Sequence, residues 1–255
     1  MNRSLRLLLV VAGLAAVGCD DSQGLRTQPW SLGTEVPRFA VQMLRDQLGC
    51  HVHPLHRLDR GTSGVLLFAL DRDTARLGSA LFEHQAVDKT YLAVVRGHPP
   101  QSGRIDHPLS RRRDEAEWRG DASSDTAQPA VTDFVRLATC ELPFAVDRYP
   151  SSRYALLEVR PLTGRRHQIR RHLKHIAHPL IGDATFGKGR HNRFFADHFG
   201  CARMLLACTR LRLIHPRSGV PLDLVAPPEG DFLRLLDSLG WRPALPAILR
   251  TPPAA

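Results

Sequence analysis

The sequence has no Cys-x-x-Cys pair and no His-Glu-x-x-His stretch, and its five cysteines (Cys19, Cys50, Cys140, Cys201, Cys208) are odd in number. Neither a disulfide framework nor a zinc site of the usual spacing is expected, and reduced thiols in a cytoplasmic protein fit better. Aromatics are scarce at 6%, with only three tyrosines. Long apolar runs are missing too. The run from Leu7 to Val17 is roughly eleven residues, too short to span a bilayer as a helix. Acids are in deficit: 25 Asp and Glu stand against 35 Lys and Arg, a formal charge of +10. Most of the excess is arginine, the side chain suited to phosphate and planar bases, so the balance points to nucleic acid ahead of an anionic membrane surface. There is no internal repeat, and a chain of 255 residues can bury one sizeable core or two small ones.

What is present is concentrated in a few stretches. His56-Arg57-Leu58-Asp59-Arg60-Gly61-Thr62-Ser63-Gly64 is a charged turn that runs straight into six apolar residues, Val65 to Leu70. Glycines 61 and 64 let the backbone bend tightly around Asp59, which stands between Arg57 and Arg60. The apolar run is short and has no helical period, so it reads as one buried strand. An acid at the mouth of a buried strand is where a nucleophile could be held rigidly. Val36 to Leu48 carries apolar residues at helical spacing and ends at Gly49. Asp71 to Gln85 reads as a second helix, with Asp73 or Thr74 as cap and Ala75, Leu77, Leu81 and Phe82 inward. Lys89 to Gly97, Val131 to Ala138 and Tyr154 to Leu162 read as strands, and the polar stretch 110–130 as an exposed insertion.

The second concentrated stretch is Leu162 to Ile176, where a Thr-Gly turn opens a basic helix. Ile169, Leu173 and Ile176 share one face. At about 100° per residue, Arg166 and Arg170 flank that stripe and Arg171 and His175 point away from it. Arg170 can therefore reach inward to a carboxylate, while Arg171 and Lys174 can meet phosphates or simply face solvent. Histidines 51, 53 and 56, and 167, 172, 175 and 178, lack the acid or thiol ligands nearby that a metal shell needs, so they read as structural or RNA-facing and no metal is expected. Tyr91 stands on an apolar strand, where a core role is the ordinary reading and stacking on a base is the alternative.

HRLDRGTSGVLLFAL, KTYLAVVRG and LTGRRHQIRRHLKHIAHPLIGD, in that order and spacing, resemble the RluA-type pseudouridine synthases over roughly residues 34 to 240. The stretch Phe186 to Arg193 is similar to the branch that modifies uridine 65 of transfer RNA. The resemblance implies an α+β fold: a mixed, mostly antiparallel sheet flanked by helices. It implies that Asp59 attacks the target nucleotide, that Arg170 pairs with it, and that Tyr91 packs on the uracil and assists proton transfer. It makes Arg57 the residue that helps displace the base, with Arg60, Arg165, His167, Gln168, Arg171 and Lys174 as further RNA contacts. An isomerisation needs no cofactor. The expected partner is RNA, transfer RNA ahead of ribosomal RNA, for an enzyme acting as a monomer.

Two features depart from that pattern. Gly61 stands where relatives often carry Pro or Ala, which predicts a more flexible turn. The family's N-terminal strand, with its Asn-Lys-Pro segment, is missing. Residues 1–33 read instead as a signal-like segment and linker before a catalytic domain at 34–245 and a Pro-rich tail at 246–255. Asn2 to Cys19 resembles a lipoprotein leader with a lipidated Cys19. Either the true start was replaced by a misassigned or rearranged reading frame, or a leader carries the domain to a membrane. RNA as substrate and reduced-type cysteines favour the first, hence a cytoplasmic enzyme. A missing strand predicts a bare sheet edge and a weakened fold. It leaves open a catalytically impaired RNA-binding module, or a lipid-anchored envelope protein with a structural role.

Overall fold

The computed structural model describes residues 7–10 (as backbone), 40–110 and 126–250. Cys19, the linker to Gly33, the first residues of the helix expected from Val36, most of the 110–130 insertion and the last tail residues lie outside the described residues.

In chain order the elements are β1 (Leu7–Val10), α1 (Ala40–Leu48), β2 (His53–Pro54), β3 (Ser63–Gly64), β4 (Leu67–Ala69), α2 (Arg72–Glu83), β5 (Asp88–Arg96), β6 (Ser102–Asp106), β7 (Val131–Leu142), β8 (Ser152–Pro161), α3 (Gln168–His175), α4 (Gly189–Phe199), β9 (Leu206–Ile214), β10 (Pro221–Val225) and α5 (Gly230–Ser238). Two 3-10 turns follow at Arg242–Ala244 and Ala247–Leu249. The large sheet has the order β10-β9-β5-β8-β7-β6, all antiparallel, and β3 joins it parallel to β9. A small sheet has the order β1-β4-β2. This is the expected mixed, mostly antiparallel α+β architecture.

The central strands are apolar on both faces because both faces are covered. Leu92 and Val94 of β5, with Tyr154 and Leu156 of β8, pack against α4, α5 and the C-terminal turns. Their sequence neighbours Ala93, Val95, Ala155 and Leu157 point the other way, onto Ile169 and Leu173 of α3. Two-residue periodicity is hidden in such doubly buried strands, which read as continuous apolar runs. Leu249 is buried in the first of these clusters, so the chain stays packed beyond residue 245.

Several sequence readings change. The run Val65 to Leu70 is not one strand. Ser63–Gly64 pairs with Ala207 and Cys208 in the large sheet, and Leu67–Ala69 belongs to the small one. The run bridges two sheets, so it is apolar because it is buried in both. The cap of α2 is Asp71, whose Oδ1 accepts the Thr74 amide at 2.8 Å; Asp73 and Thr74 lie inside the helix. The bare sheet edge is also corrected. β1 runs antiparallel to β4, Leu7 opposite Ala69 and Val10 opposite Leu67. An extended segment with free amides and carbonyls satisfies an open edge irrespective of its origin.

Gly64 is a tight joint between β3 and β9. Its φ is +106°, and a Cβ there would lie 2.0 Å from the Cys208 carbonyl oxygen. Gly64→Ala is expected to destabilise the protein by about 3 kcal/mol or more, since backbone strain and a backbone clash combine. A chemical-denaturation midpoint unchanged from the parent would show that the β3–β9 joint is looser than described.

Candidate active site

The turn between β2 and β3 delivers Asp59. The Thr62 amide donates to the Asp59 carbonyl at 2.9 Å, and Gly61 sits at φ +85°. A proline ring, held near −65°, could not take that conformation, so the glycine is matched to this turn geometry. The Asp59 side chain is 20% exposed and opens onto a cleft of about 840 Å3. The cleft is lined by Asp59, Tyr91 and Leu206, by His56, Phe82, Glu83 and Lys89, and by Thr163 to Ile169 with Arg171.

Arg170 approaches Asp59 from behind the cleft. Its Nη1 lies 3.4 Å from Asp59 Oδ2. Its Nε and Nη2 donate to Asp183 Oδ2 and Oδ1 at 2.7 and 2.9 Å. The helix-face reading that sent Arg170 inward is correct, but its principal partner is Asp183. That carboxyl also accepts the Thr185 and Phe186 amides, each at 2.9 Å. Burial by itself would raise the Asp183 pKa. The Arg170 fork and the two amides outweigh it and hold the carboxyl below its ordinary value.

Tyr91 lies between core and cleft. It packs against two core clusters and also faces the cleft. Burial first, then the neighbouring Cys208 and the charge of Asp59, raise its phenol well above the usual value. The resting hydroxyl is therefore protonated and can donate.

Of the expected RNA contacts, Arg57, Arg165, His167 and Arg171 line the cleft. Arg57 is exposed at the mouth. Arg171 reaches across to the Ser110 carbonyl at 2.9 Å, and Arg165 Nε donates to the Pro129 carbonyl at 3.1 Å. Arg60 and Lys174 lie outside the cleft lining, and the Lys174 ammonium sits 5.8 Å from the Phe186 ring centre. Gln168 also borders the cleft, and its side-chain amide is bonded as a brace. It is 5% exposed. Its Oε1 accepts Thr163 Oγ1 and the Arg165 amide, while its Nε2 donates to the Val131 carbonyl and Thr132 Oγ1. The network continues through Thr132 Oγ1 to His172 Nδ1 at 2.9 Å and from His172 Nε2 to the His107 carbonyl at 3.0 Å. His172 is thus structural, and burial lowers its pKa. Fully satisfied polar chains of this kind rigidify the helix they serve.

Sequence reasoning gave no role to Asp183 or Phe186, though both lie in quoted stretches. The available signal was that Asp183 is the only acid between Glu158 and Asp197, in a region full of arginine. His56 was left among the unassigned histidines. Its ring stacks on Phe82 at 4.6 Å between centroids, and its Nε2 accepts the Leu67 amide at 3.1 Å. Burial, with a smaller contribution from Lys89, drops its pKa to about 4 against the opposing bond to Arg57. The unfolded chain therefore takes up this proton first as pH falls. Stability present above about pH 6.5 is lost progressively toward pH 4. His56→Gln is expected to flatten that part of the stability–pH curve in urea titrations; an unchanged slope between pH 6.5 and 4 would show that His56 is not the titrating group.

The family model described as RNA pseudouridylate synthase matches residues 17–175. A tRNA pseudouridine synthase C of Yersinia pestis is 44% identical over 212 residues, covering 83% of this chain and 82% of the relative. The protein of the same description from Pectobacterium carotovorum is 46% identical over 206 residues, and there the match spans 81% of this chain and 55% of the relative. Among solved structures, Human RNA Pseudouridylate Synthase Domain Containing 4 superposes with a TM-score of 0.61 at 27% identity, covering 85% of this chain and 87% of the other.

Proposed function

Since this chain belongs to the RNA pseudouridylate synthase family, we propose that it isomerises a uridine of transfer RNA, at position 65, with Asp59 as the reacting carboxylate. The observation that carries this reading is the placement of Asp59: half-buried in the lining of a nucleotide-sized cleft that Tyr91 also lines, with Arg170 at its Oδ2.

Pseudouridine is uridine with its glycosidic bond moved from N1 to C5, so nothing is oxidised and no group is donated or lost. The Asp59 carboxylate either adds to C1′ as N1 leaves, or removes a sugar proton so that the uracil departs through a glycal. The freed uracil rotates and C5 bonds to C1′, as the Asp59–C1′ bond breaks in the first route or as Asp59 returns the proton to C2′ in the second, so the carboxylate is regenerated either way. The proton on C5 then leaves to a base, which returns the ring to aromatic form. Tyr91 supplies a flat platform and a protonated hydroxyl at the rotating base. Arg170 holds Asp59 at one edge and leaves its other oxygen toward the cleft. The target must leave its helix to enter, at a cost of a few kcal/mol of unstacking. Arg57 at the mouth is positioned to fill the vacated place in the stack. Arg165 and Arg171 sit where the flanking backbone would pass and supply salt-dependent affinity.

The test is incubation with unmodified transfer RNA and, separately, with a ribosomal RNA fragment. Pseudouridine is then mapped by carbodiimide-stop primer extension. A single new stop at position 65 of the transfer RNA is expected. A stop in the ribosomal fragment only would reassign the substrate, and no stop in either would overturn the enzymatic reading.

A further inference from the structure

The carboxylate that sequence reasoning passed over is the most firmly held group in the site. Asp183 has a side chain with no exposure to solvent, and three separate elements hold it. Arg170 of α3 meets it with two N–H groups. The start of the following turn gives it the Thr185 and Phe186 amides. Asn192 of α4 donates to the Asp183 carbonyl at 3.0 Å and accepts the Gly182 amide at 2.9 Å. The loop has no slack: a Cβ on Gly182 would lie 1.9 Å from the Arg203 carbonyl oxygen, and one on Gly187 2.3 Å from the Asp183 carbonyl oxygen. Asn192 falls in the Phe186–Arg193 stretch that the sequence singled out, and here its task is to lock this loop.

A guanidinium is a planar fork with five donors. Asp183 takes the Nε–Nη2 edge, and the Phe186 ring lies 5.0 Å from its centre. With one edge and one face occupied, the direction of the remaining Nη1 is settled, and that nitrogen faces Asp59. The contact to Asp59 is the longer one, 3.4 Å against 2.7 and 2.9 Å. Arg170 therefore spends most of its charge on Asp183.

We propose that Asp183 is a positioning residue for the isomerisation: it aims Arg170 at Asp59 and, by sharing the guanidinium charge, keeps the Asp59 carboxylate loosely held and reactive. This rests on the reading of Asp59 as the reacting group. Other charged or titratable groups face the same pair. His167, from the lead into α3, feels Asp59, Arg170, Arg166 and Asp183, and Tyr91 of β5 feels Asp59.

Asp183→Asn removes the charge and keeps the shape. Arg170 then acts on Asp59 with its full charge. The acid limb of the kcat/KM profile is expected to move to lower pH by about half to one unit. The plateau of kcat should fall about 10- to 100-fold, with KM for RNA within about threefold. In a crystal structure of Asp183→Asn the Arg170 Nη1–Asp59 Oδ2 separation is expected to fall below the parent's 3.4 Å. That readout needs no turnover, so it separates failure of this proposal from failure of the functional reading. A merely structural role would lower the melting temperature and scale activity equally at every pH, and an unshifted limb with an unchanged separation would overturn the proposal. Asp183→Glu keeps the charge and displaces the fork. It should lose kcat with no shift of the limb, and wild-type kcat in that variant would overturn the aiming role even if Asp183→Asn fails to fold.

Discussion

Asp59→Asn is expected to abolish pseudouridine formation, by at least about 10^4-fold in kcat, while leaving the fold and RNA binding in place. The loss is large because the carboxylate forms or breaks a bond in every version of the reaction, and the other carboxyl of the cleft lining, Glu83, is an exposed group at the end of α2. Asp183 cannot substitute, since its side chain is closed to solvent and committed to Arg170. The fold should be spared for a separate reason. Asp59 is partly exposed and its ion pair is long, and such pairs contribute about 1 kcal/mol or less. The turn itself is held by the Thr62 amide on the Asp59 backbone, which the substitution keeps. RNA affinity should be equal or slightly higher, because one negative charge leaves a basic cleft. Filter binding, thermal melting and the carbodiimide assay on one preparation check all three. Residual activity within about tenfold of the parent would show that another group reacts with the sugar.

Arg170→Met should damage both function and fold. Removing the cation takes away the group that holds Asp59, which is expected to cost about 10²- to 10³-fold in kcat, the range for losing one aimed donor in a closed site. It also leaves Asp183 as a buried carboxylate with only two backbone amides. Breaking a buried pair from one side costs about 3–5 kcal/mol, and in a domain of this size that lowers Tm by about 10 °C. The pH dependence follows from the depressed Asp183 pKa. In the parent, the stability from this pair is present above the unfolded carboxyl value and is lost as pH falls through the lower folded one. In Arg170→Met the folded value rises instead, so acidification should narrow the stability gap between parent and variant. The double variant Arg170→Met/Asp183→Leu should recover most of the stability, since an apolar pair of similar volume removes the uncompensated charge, and none of the activity. If Arg170→Met melts like the parent, the buried pair contributes little to the fold.

Local and long-range determinants of this fold divide at particular residues. The Asp59 turn, the β5 strand and the Thr163-Gly164 entry to a basic helix were legible because their signals lie within ten residues of each other: turn glycines, apolar run lengths and helical spacing. Arg170 could be sent inward for the same reason, since helix geometry alone separates it from Arg171. The sequence by itself therefore determined the acid, the inward-facing arginine and the basic character of the chain, while the α+β class came from the family resemblance that the same motifs carry. Tertiary structure decided what sequence spacing does not carry. Ser63–Gly64 finds its partner at Ala207 and Cys208, so the apolar run that follows begins against the large sheet and forms a strand only at Leu67–Ala69, in the small one. Gln168 turns its side-chain amide onto the start of β7, at Val131 and Thr132. Asp183 reaches Arg170 from the loop before α4, and only that closure shows the charge partner of Arg170 to be shared between two carboxylates. A side chain's type and neighbours fix what it can do; which of its polar atoms are already occupied depends on groups that folding brings together from far along the chain.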